Sequence, residues 1–581
     1  MTAVAVGADA GTLAPVRAFD AFLGDPADDE AVVSTRRSVL LDERSAFPED
    51  EIAAVTAFGL QQWYVPAAHG GMLGDALVPL LMIRHLARRD FTVAAVHGKT
   101  FLGAISAWVA GGEIATRMAG LVDTGQPVSW GLTERGRGSD LSRSATSVRI
   151  GPGSVRVDGG KWPINNAVRC RAMTVLARSD ERPGPRSLSL VLVDKDEADP
   201  ATIGYEAKVA SHGLRGANLA GIRFDGSVVG ADALVGPAGH GLEIVLKSLQ
   251  LTRPFTTGLS MGAVDRALHT ALDAAALPDG ARGRLLDSPA SRRALGIAVA
   301  DALLVECLML VGVRSAHAVP AEMALVSALV KFLGPDTADL LFRDLTRLLG
   351  PRAIVVGSEG SDGLHPSAFG AFQKAARDSR VVGIFDGNSV VNLNMIINEL
   401  PNQLRPATPP PLAEVLAPLR TDVPHGALDT ASLRLVTRHG SRLLRSLPAL
   451  VDAVDDGRTS RAVVDAARWI RDEYTALLDE ARDLPRQSQP DPLAFHLAER
   501  FALGFGAACA LAVHLARAGA IPGPLGESDA WLAAVLQRVA YRLGADPVDT
   551  AVADALLDAA LRAHAGGSGA VTLLPAWTER T

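Results

Sequence analysis

The chain has 581 residues, 48% hydrophobic and 21% charged, with a formal net charge of −7 and a pI near 6.0. That length exceeds what one hydrophobic core fills, so about two to four domains are expected. The acidic balance excludes the basic footprint of a nucleic-acid binder. Its three cysteines, Cys170, Cys307 and Cys509, lie too far apart for a zinc motif or a disulfide framework, which predicts no metal and a reducing compartment. Cys307 falls in an apolar helical run, where packing is its expected role. Met1 to Leu23 lacks a basic segment followed by an apolar core, so no signal peptide is evident. The apolar run Leu295 to Val313 carries Asp301 and Glu306 and fits a buried helix better than a membrane span. A cytoplasmic protein without a membrane span is the expectation.

In chain order, residues 1–125 read as an N-terminal helical domain after a loose start. Apolar residues recur at helical spacing over Val32–Leu41, Pro48–Gln61 and Ala76–Arg89. Pro48 followed by three acids suits a helix start. Across residues 126–238 the pattern becomes short β-rich runs, Val148–Val157, Met173–Ala177, Leu188–Val193 and Leu219–Phe224, punctuated by Gly, Pro and Asp. A small β-barrel or sandwich is predicted there. Helices return over residues 239–400, beginning with Leu242–Leu251. Five prolines between Pro401 and Pro411 break helices and read as a linker over residues 401–411. Residues 412–581 form a helical extension, in which Val463, Ala467, Ile470, Tyr474 and Leu477 make a one-sided stripe. The predicted fold class is mainly α with a central β-barrel domain, an α–β–α core followed by a C-terminal helical domain.

Two segments carry chemistry. Residues 131–141 read Gly-Leu-Thr-Glu-Arg-Gly-Arg-Gly-Ser-Asp-Leu, a turn-rich loop whose glycines let backbone N–H groups approach an anion. Residues 377–388 read Arg-Asp-Ser-Arg-Val-Val-Gly-Ile-Phe-Asp-Gly-Asn and place one carboxylate, Asp386, between an aromatic residue and a glycine. Taken singly, the first is an ordinary surface turn and the second an ordinary Asp-Gly turn. In this order, about 245 residues apart, they resemble the acyl-CoA dehydrogenase family. The resemblance covers residues 45–400. It includes Phe58 to Pro66 followed by Gly70-Gly71, Gly159-Gly160-Lys161-Trp162-Pro163-Ile164-Asn165-Asn166, and Thr252-Arg253-Pro254.

Desaturating an acyl thioester needs a base for the α-proton, hydrogen bonds to the developing enolate and an acceptor for the β-hydride. The resemblance assigns the base to Asp386, where the family carries glutamate, and has its backbone N–H donate to the thioester carbonyl. Phe385, Gly387, Thr252 and Arg253 become substrate-side residues. Thr252 stands where some members place an alternative glutamate. FAD is the implied cofactor. Trp130, Leu132 and the Thr133 hydroxyl would meet the flavin ring, and Gly138 and Ser139 its phosphates. Trp162 is displaced by one from the stacking aromatic position, and Asn165 and Asn388 each replace a threonine. Arg135 and Arg137 are either solvated or turned to a substrate phosphate.

Several positions depart from the family. Aspartate draws the carboxylate back by about an ångström, a misplacement that can cost ~10²-fold in rate. The arginine of the family's R-x-x-F-G segment has only Arg282 or Arg284 as substitutes, Arg347 to Pro351 replaces Q-I-L-G-G, and residues 357–366 form a longer loop. The implied function is FAD-dependent introduction of a 2,3-double bond into an acyl thioester carried on coenzyme A or an acyl carrier protein. A homodimer is expected, with an electron-transfer flavoprotein or oxygen as electron acceptor. Two alternatives stand beside it: a flavin oxidase or monooxygenase acting on an acyl chain in a secondary-metabolite pathway, and a cofactor-free scaffold or partner subunit.

Overall fold

The computed structural model describes residues 13–575 apart from 183, 185, 279–282, 358–366, 485–489, 518–520 and 567–570. Six helices precede the sheet: α1 (Ala14–Leu23), α2 (Thr35–Glu43), α3 (Glu49–Phe58), α4 (Leu77–Arg89), α5 (Phe91–Ala110) and α6 (Gly112–Asp123). Their ends follow local chemistry. The Ser34 hydroxyl accepts from the Arg37 N–H at the start of α2, and the Asp90 carboxylate accepts from Thr92 and Val93 at the start of α5. Glu49, Asp50 and Glu51 occupy the first turn of α3, where the helix dipole favours negative charge. The α1 helix lies within what the sequence presented as a loose start.

The strands are β1 (Val128–Gly131), β2 (Ser147–Gly151), β3 (Ser154–Asn165), β4 (Ala172–Arg178), β5 (Leu188–Asp194), β6 (Ile203–Tyr205) and β7 (Leu219–Gly230). They hydrogen-bond in the order β1-β4-β2-β3-β7-β6, with β5 antiparallel to β4. No ladder joins β6 to β1 or β5 among the described residues, so the predicted barrel is corrected to an open sheet. The reason is local. The β6 strand offers only three residues to its neighbour, and β1 is covered by α5, where a Cβ on Gly103 would fall 2.6 Å from the Val128 carbonyl. Met173 and Val175 of β4 face a small core inside the sheet, whereas Ala172 and Leu176 face the large helical core. A strand buried on both faces reads as a continuous apolar run, as β5 does.

Five helices complete the central part of the chain: α7 (Gly241–Ala276), α8 (Pro289–Ala318), α9 (Met323–Leu349), α10 (Ala368–Ser379) and α11 (Ser389–Gln403). Pro401, read as linker, lies in the last turn of α11. A proline this near a helix end removes a single ladder bond, and the irregular connection begins only after Gln403.

The remaining helices are α12 (Leu412–Leu416), α13 (Arg442–Arg445), α14 (Leu447–Val454), α15 (Arg461–Arg482), α16 (Pro492–Ala516), α17 (Ala530–Leu543) and α18 (Thr550–Ala565). The stripe from Val463 to Leu477 is buried along α15. This extension docks through polar as well as apolar contacts. Arg538 of α17 pairs with buried Asp301 of α8 through two bonds of 2.9 Å. A Cβ on Gly296 would fall 2.2 Å from the Ala553 carbonyl, so α8 and α18 touch backbone to backbone. Buried Glu306 accepts from Arg84 of α4, from the Leu573 N–H at 2.6 Å and from the Thr572 hydroxyl. Helices α5, α8 and α16 are long and apolar enough to cross a membrane, but the windows concerned are 78%, 89% and 83% buried within the protein. All three cysteines are free and buried.

Candidate active site

The turn from Gly383 to Asn388 joins the end of α10 to the start of α11 and is clamped from three helices. The buried ammonium of Lys331 on α9 donates to the carbonyls of Val382 and Phe385 and lies 4.7 Å from the centre of the Phe385 ring. Arg253 of α7, 2% exposed, donates its Nε–H to the Asp386 carbonyl at 3.1 Å. Asn392 donates to the carbonyls of Gly387 and Asn388, each at 3.0 Å. The Asn388 side-chain oxygen caps α11 by accepting from the Val391 N–H. Asp386 has φ 56° and Gly387 φ 96°. Aspartate tolerates the left-handed region, and a side chain at Gly387 would also press within 3.0 Å of the Arg253 guanidinium.

This clamping leaves two groups on Asp386 unused. Its Oδ2 is buried without a hydrogen-bond partner, and its backbone N–H donates to no group among the described residues. Three cations feel its charge. Burial pushes Lys331 down to about 7 and Arg253 down to about 10, and burial also lowers Lys99; in each case Asp386 pulls the other way. Lys99 rises from α5 with its ammonium 6.0 Å from the Trp130 ring, and the charge of Asp386 reaches it. Thr252 sits on α7 with a buried, unpartnered hydroxyl. Close by on the same helix, Phe255 packs on Phe101 at 4.4 Å between ring centres, and Tyr64 joins this aromatic group. The Tyr64 hydroxyl meets His97 Nδ1 at 2.9 Å, and burial pushes His97 down to about 4, so its ring is neutral.

The glycine-rich loop leaves β1 and is fixed from beneath. Glu134 accepts from Lys161 Nζ at 2.7 Å, the Ser144 hydroxyl at 2.5 Å, and the N–H groups of Ala145 and Thr146. Above that anchor Leu132 and Thr133 are half-buried, and residues 135–140, with Gly138 and Ser139 among them, are exposed. The Thr133 hydroxyl donates to the Pro163 carbonyl at 3.3 Å. Arg135 settles its own role: its guanidinium stacks 4.3 Å over the Trp162 ring and pairs with Glu206 at 2.5 Å. Arg284 pairs with Asp287 at the surface, and Arg282 and most of the loop 357–366 lie outside the described residues.

A family model described as the acyl-CoA dehydrogenase middle domain matches residues 129–227, and one described as the C-terminal domain matches residues 239–400. A probable acyl-CoA dehydrogenase of Mycobacterium leprae (strain TN) is 25% identical over 362 residues, covering 60% of this chain and 87% of the relative. Among solved structures, an acyl-CoA dehydrogenase complexed with FAD from Bacillus anthracis superposes with a TM-score of 0.65 at 17% identity, covering 91% of this chain and 86% of that one. The prolyl acyl carrier protein oxidase AnaB superposes with a TM-score of 0.57 at 15% identity, covering 66% and 97%. The fold and site thus define a flavin-dependent oxidoreductase acting on CH–CH groups. Residues 129–227 and 239–400 match the middle and C-terminal domains of the acyl-CoA dehydrogenase family.

The residues present fit the family's FAD. Trp130 Nε1 and Asn165 Oδ1 are buried without partners, a donor and an acceptor waiting for a polar ring. The N–H groups of Gly138 and Ser139 are unengaged, and nothing lies within 4 Å of where a Gly138 Cβ would stand, which leaves room for a phosphate. The sequence reading did not find Lys99, His97, Lys331 or Asn392. A signal existed for the lysines: the chain has only seven, and two of them fall inside apolar helical runs.

Proposed function

We propose that the protein desaturates an acyl thioester between its α and β carbons, with Asp386 taking the α-proton. The supporting observation is Asp386 itself, a carboxylate with one buried unpartnered oxygen and a free N–H on a turn whose carbonyls are held by Arg253, Lys331 and Asn392. A base kept dry and fixed is poised to take a weakly acidic proton. The free N–H of Asp386 is the donor for the thioester carbonyl, and the charge of Arg253 behind it favours the enolate as it forms. Thr252, Phe101, Phe255 and Tyr64 are buried together and offer apolar surface to the acyl chain, and neutral His97 adds no charge there. FAD, when bound, supplies the acceptor for the β-hydride. Because aspartate is shorter than the family's glutamate, the α-carbon sits closer to the turn. The likeness to a carrier-protein oxidase supports an acyl carrier protein beside coenzyme A as the thioester's carrier. Ile384 and Val390 flank the turn at 66% and 60% exposure, a surface that fits a homodimer.

The test is the visible spectrum of the yellow protein under anaerobic conditions. Saturated acyl thioesters are added on coenzyme A and, separately, on a carrier protein. Bleaching supports the reading and identifies the carrier. A spectrum unchanged by both, or equal bleaching in Asp386→Asn, overturns it. Admitting air to the bleached sample then tells oxidase from dehydrogenase by whether oxygen restores the colour.

A further inference from the structure

Outside the active site, one cluster brings metal-ligating side chains together from helices far apart in sequence. His269 and Asp273 stand one turn apart on α7, and His564 reaches them from α18, the last helix of the extension. One ligand atom from each lies within 4.8 Å of the other two. His564 Nε2 is 2.7 Å from Asp273 Oδ1, and His269 Nε2 is 3.2 Å from Asp273 Oδ2. The two rings meet edge to face with centres 4.7 Å apart.

We infer that His269, Asp273 and His564 form a binding site for a divalent transition metal of the zinc type, bridging the catalytic core and the extension. Zinc takes imidazole nitrogen and carboxylate oxygen at about 2.0–2.2 Å in tetrahedral sites, which sets neighbouring ligand atoms about 3.3 Å apart, near the spacing seen here. Three protein ligands leave the fourth position to water. His269 is the telling member. Its Nδ1 is buried and unpartnered, and the ring makes no hydrogen bond despite facing the carboxylate. Two positive groups oppose the ion: Arg266, whose Nε–H donates to the Arg88 carbonyl at 2.8 Å, and Arg88 itself. Affinity is therefore expected in the micromolar range and not below it. The bond would join α18 to the helix that carries Thr252 and Arg253.

The test uses the full-length, flavin-loaded protein, stripped with a chelator and dialysed against zinc chloride. One zinc per chain is expected, with a raised melting temperature, and cobalt(II) in its place gives the visible absorption of a tetrahedral site. His269→Gln removes only the 3.2 Å contact with Asp273 and the ring contact with His564, and circular dichroism checks that the fold is kept. It and His564→Gln are each expected to weaken binding at least tenfold with flavin content unchanged. Zinc at or below background in the wild type, or equal affinity in His269→Gln, overturns the inference.

Discussion

Glu134 sits beneath the loop that meets the cofactor, and its removal as a charge has a calculable effect. In Glu134→Gln the neutral amide keeps one acceptor oxygen where the carboxylate serves four donors. Lys161, 1% exposed and already pushed down to about 8 by burial, loses the charge that holds it. Removing one partner of a buried ion pair costs about 3–5 kcal/mol, because the other charge is left uncompensated. The urea midpoint, followed by circular dichroism, is expected to fall accordingly, and flavin is expected to dissociate more readily. Adding Lys161→Met removes the stranded charge, so the double variant is expected to recover more than half of the loss. The pH dependence has a definite sign. Burial opposes ionisation of Glu134, but Lys161 and the hydrogen bonds outweigh it and bring the carboxyl down from 4.5 to about 2. Its stabilisation is complete above the unfolded value and is lost as the pH falls from 4.5 towards 2. The wild type therefore loses stability on acidification faster than Glu134→Gln does. An unchanged midpoint in Glu134→Gln, or a double variant no better than the single one, refutes the reasoning.

Three further outcomes are expected. Asp386→Asn keeps the turn, since asparagine tolerates a φ of 56°, and lowers turnover by ~10²–10⁴-fold while flavin content stays constant; single-turnover flavin reduction measures it. Asp386→Glu pushes the carboxylate about an ångström into the site and slows reduction by ~10²-fold if the substrate is placed for the shorter side chain, whereas faster reduction shows that the shorter side chain was limiting. Gly296→Ala forces α8 and α18 apart, because its Cβ would lie 2.2 Å from the Ala553 carbonyl. A loss of about 1–3 kcal/mol is expected, with faster proteolysis between α17 and α18.

Much of the architecture was legible because periodicity reports burial. The stripe on α15 and the runs that became β4 and β5 were read correctly, since each face of these elements meets one kind of environment. The short strands β1 and β6 carry too few residues to show a period, and closure of a sheet depends on edge pairing, which no local pattern encodes. Asp386 and the glycine-rich loop stood out only through their joint resemblance to a known family, since local turn chemistry alone makes each an ordinary turn. The clamp was legible only in part: the resemblance marked Arg253 as a substrate-side residue, but not its hold on a carbonyl 133 residues away, and Lys331, acting on a carbonyl 51 residues away, is a lone cation in an apolar helix that reads only as an irregularity. Arg135 illustrates the same limit: its stacking on Trp162 joins two strands' ends that the sequence separates.

The hold of Thr572 and Leu573 on Glu306 bears on how this chain can change over time. Glu306 lies at the centre of α8, fully buried, and shares Arg84 with Asp265. Cutting the chain before residue 572 would strand a carboxylate oxygen in the interior with no water to replace the lost donors. Core and extension are thus mutually dependent for folding. A descendant that shed the extension would have to replace the donors that Thr572 and Leu573 supply to Glu306, so these two positions are under selection from the middle of the chain.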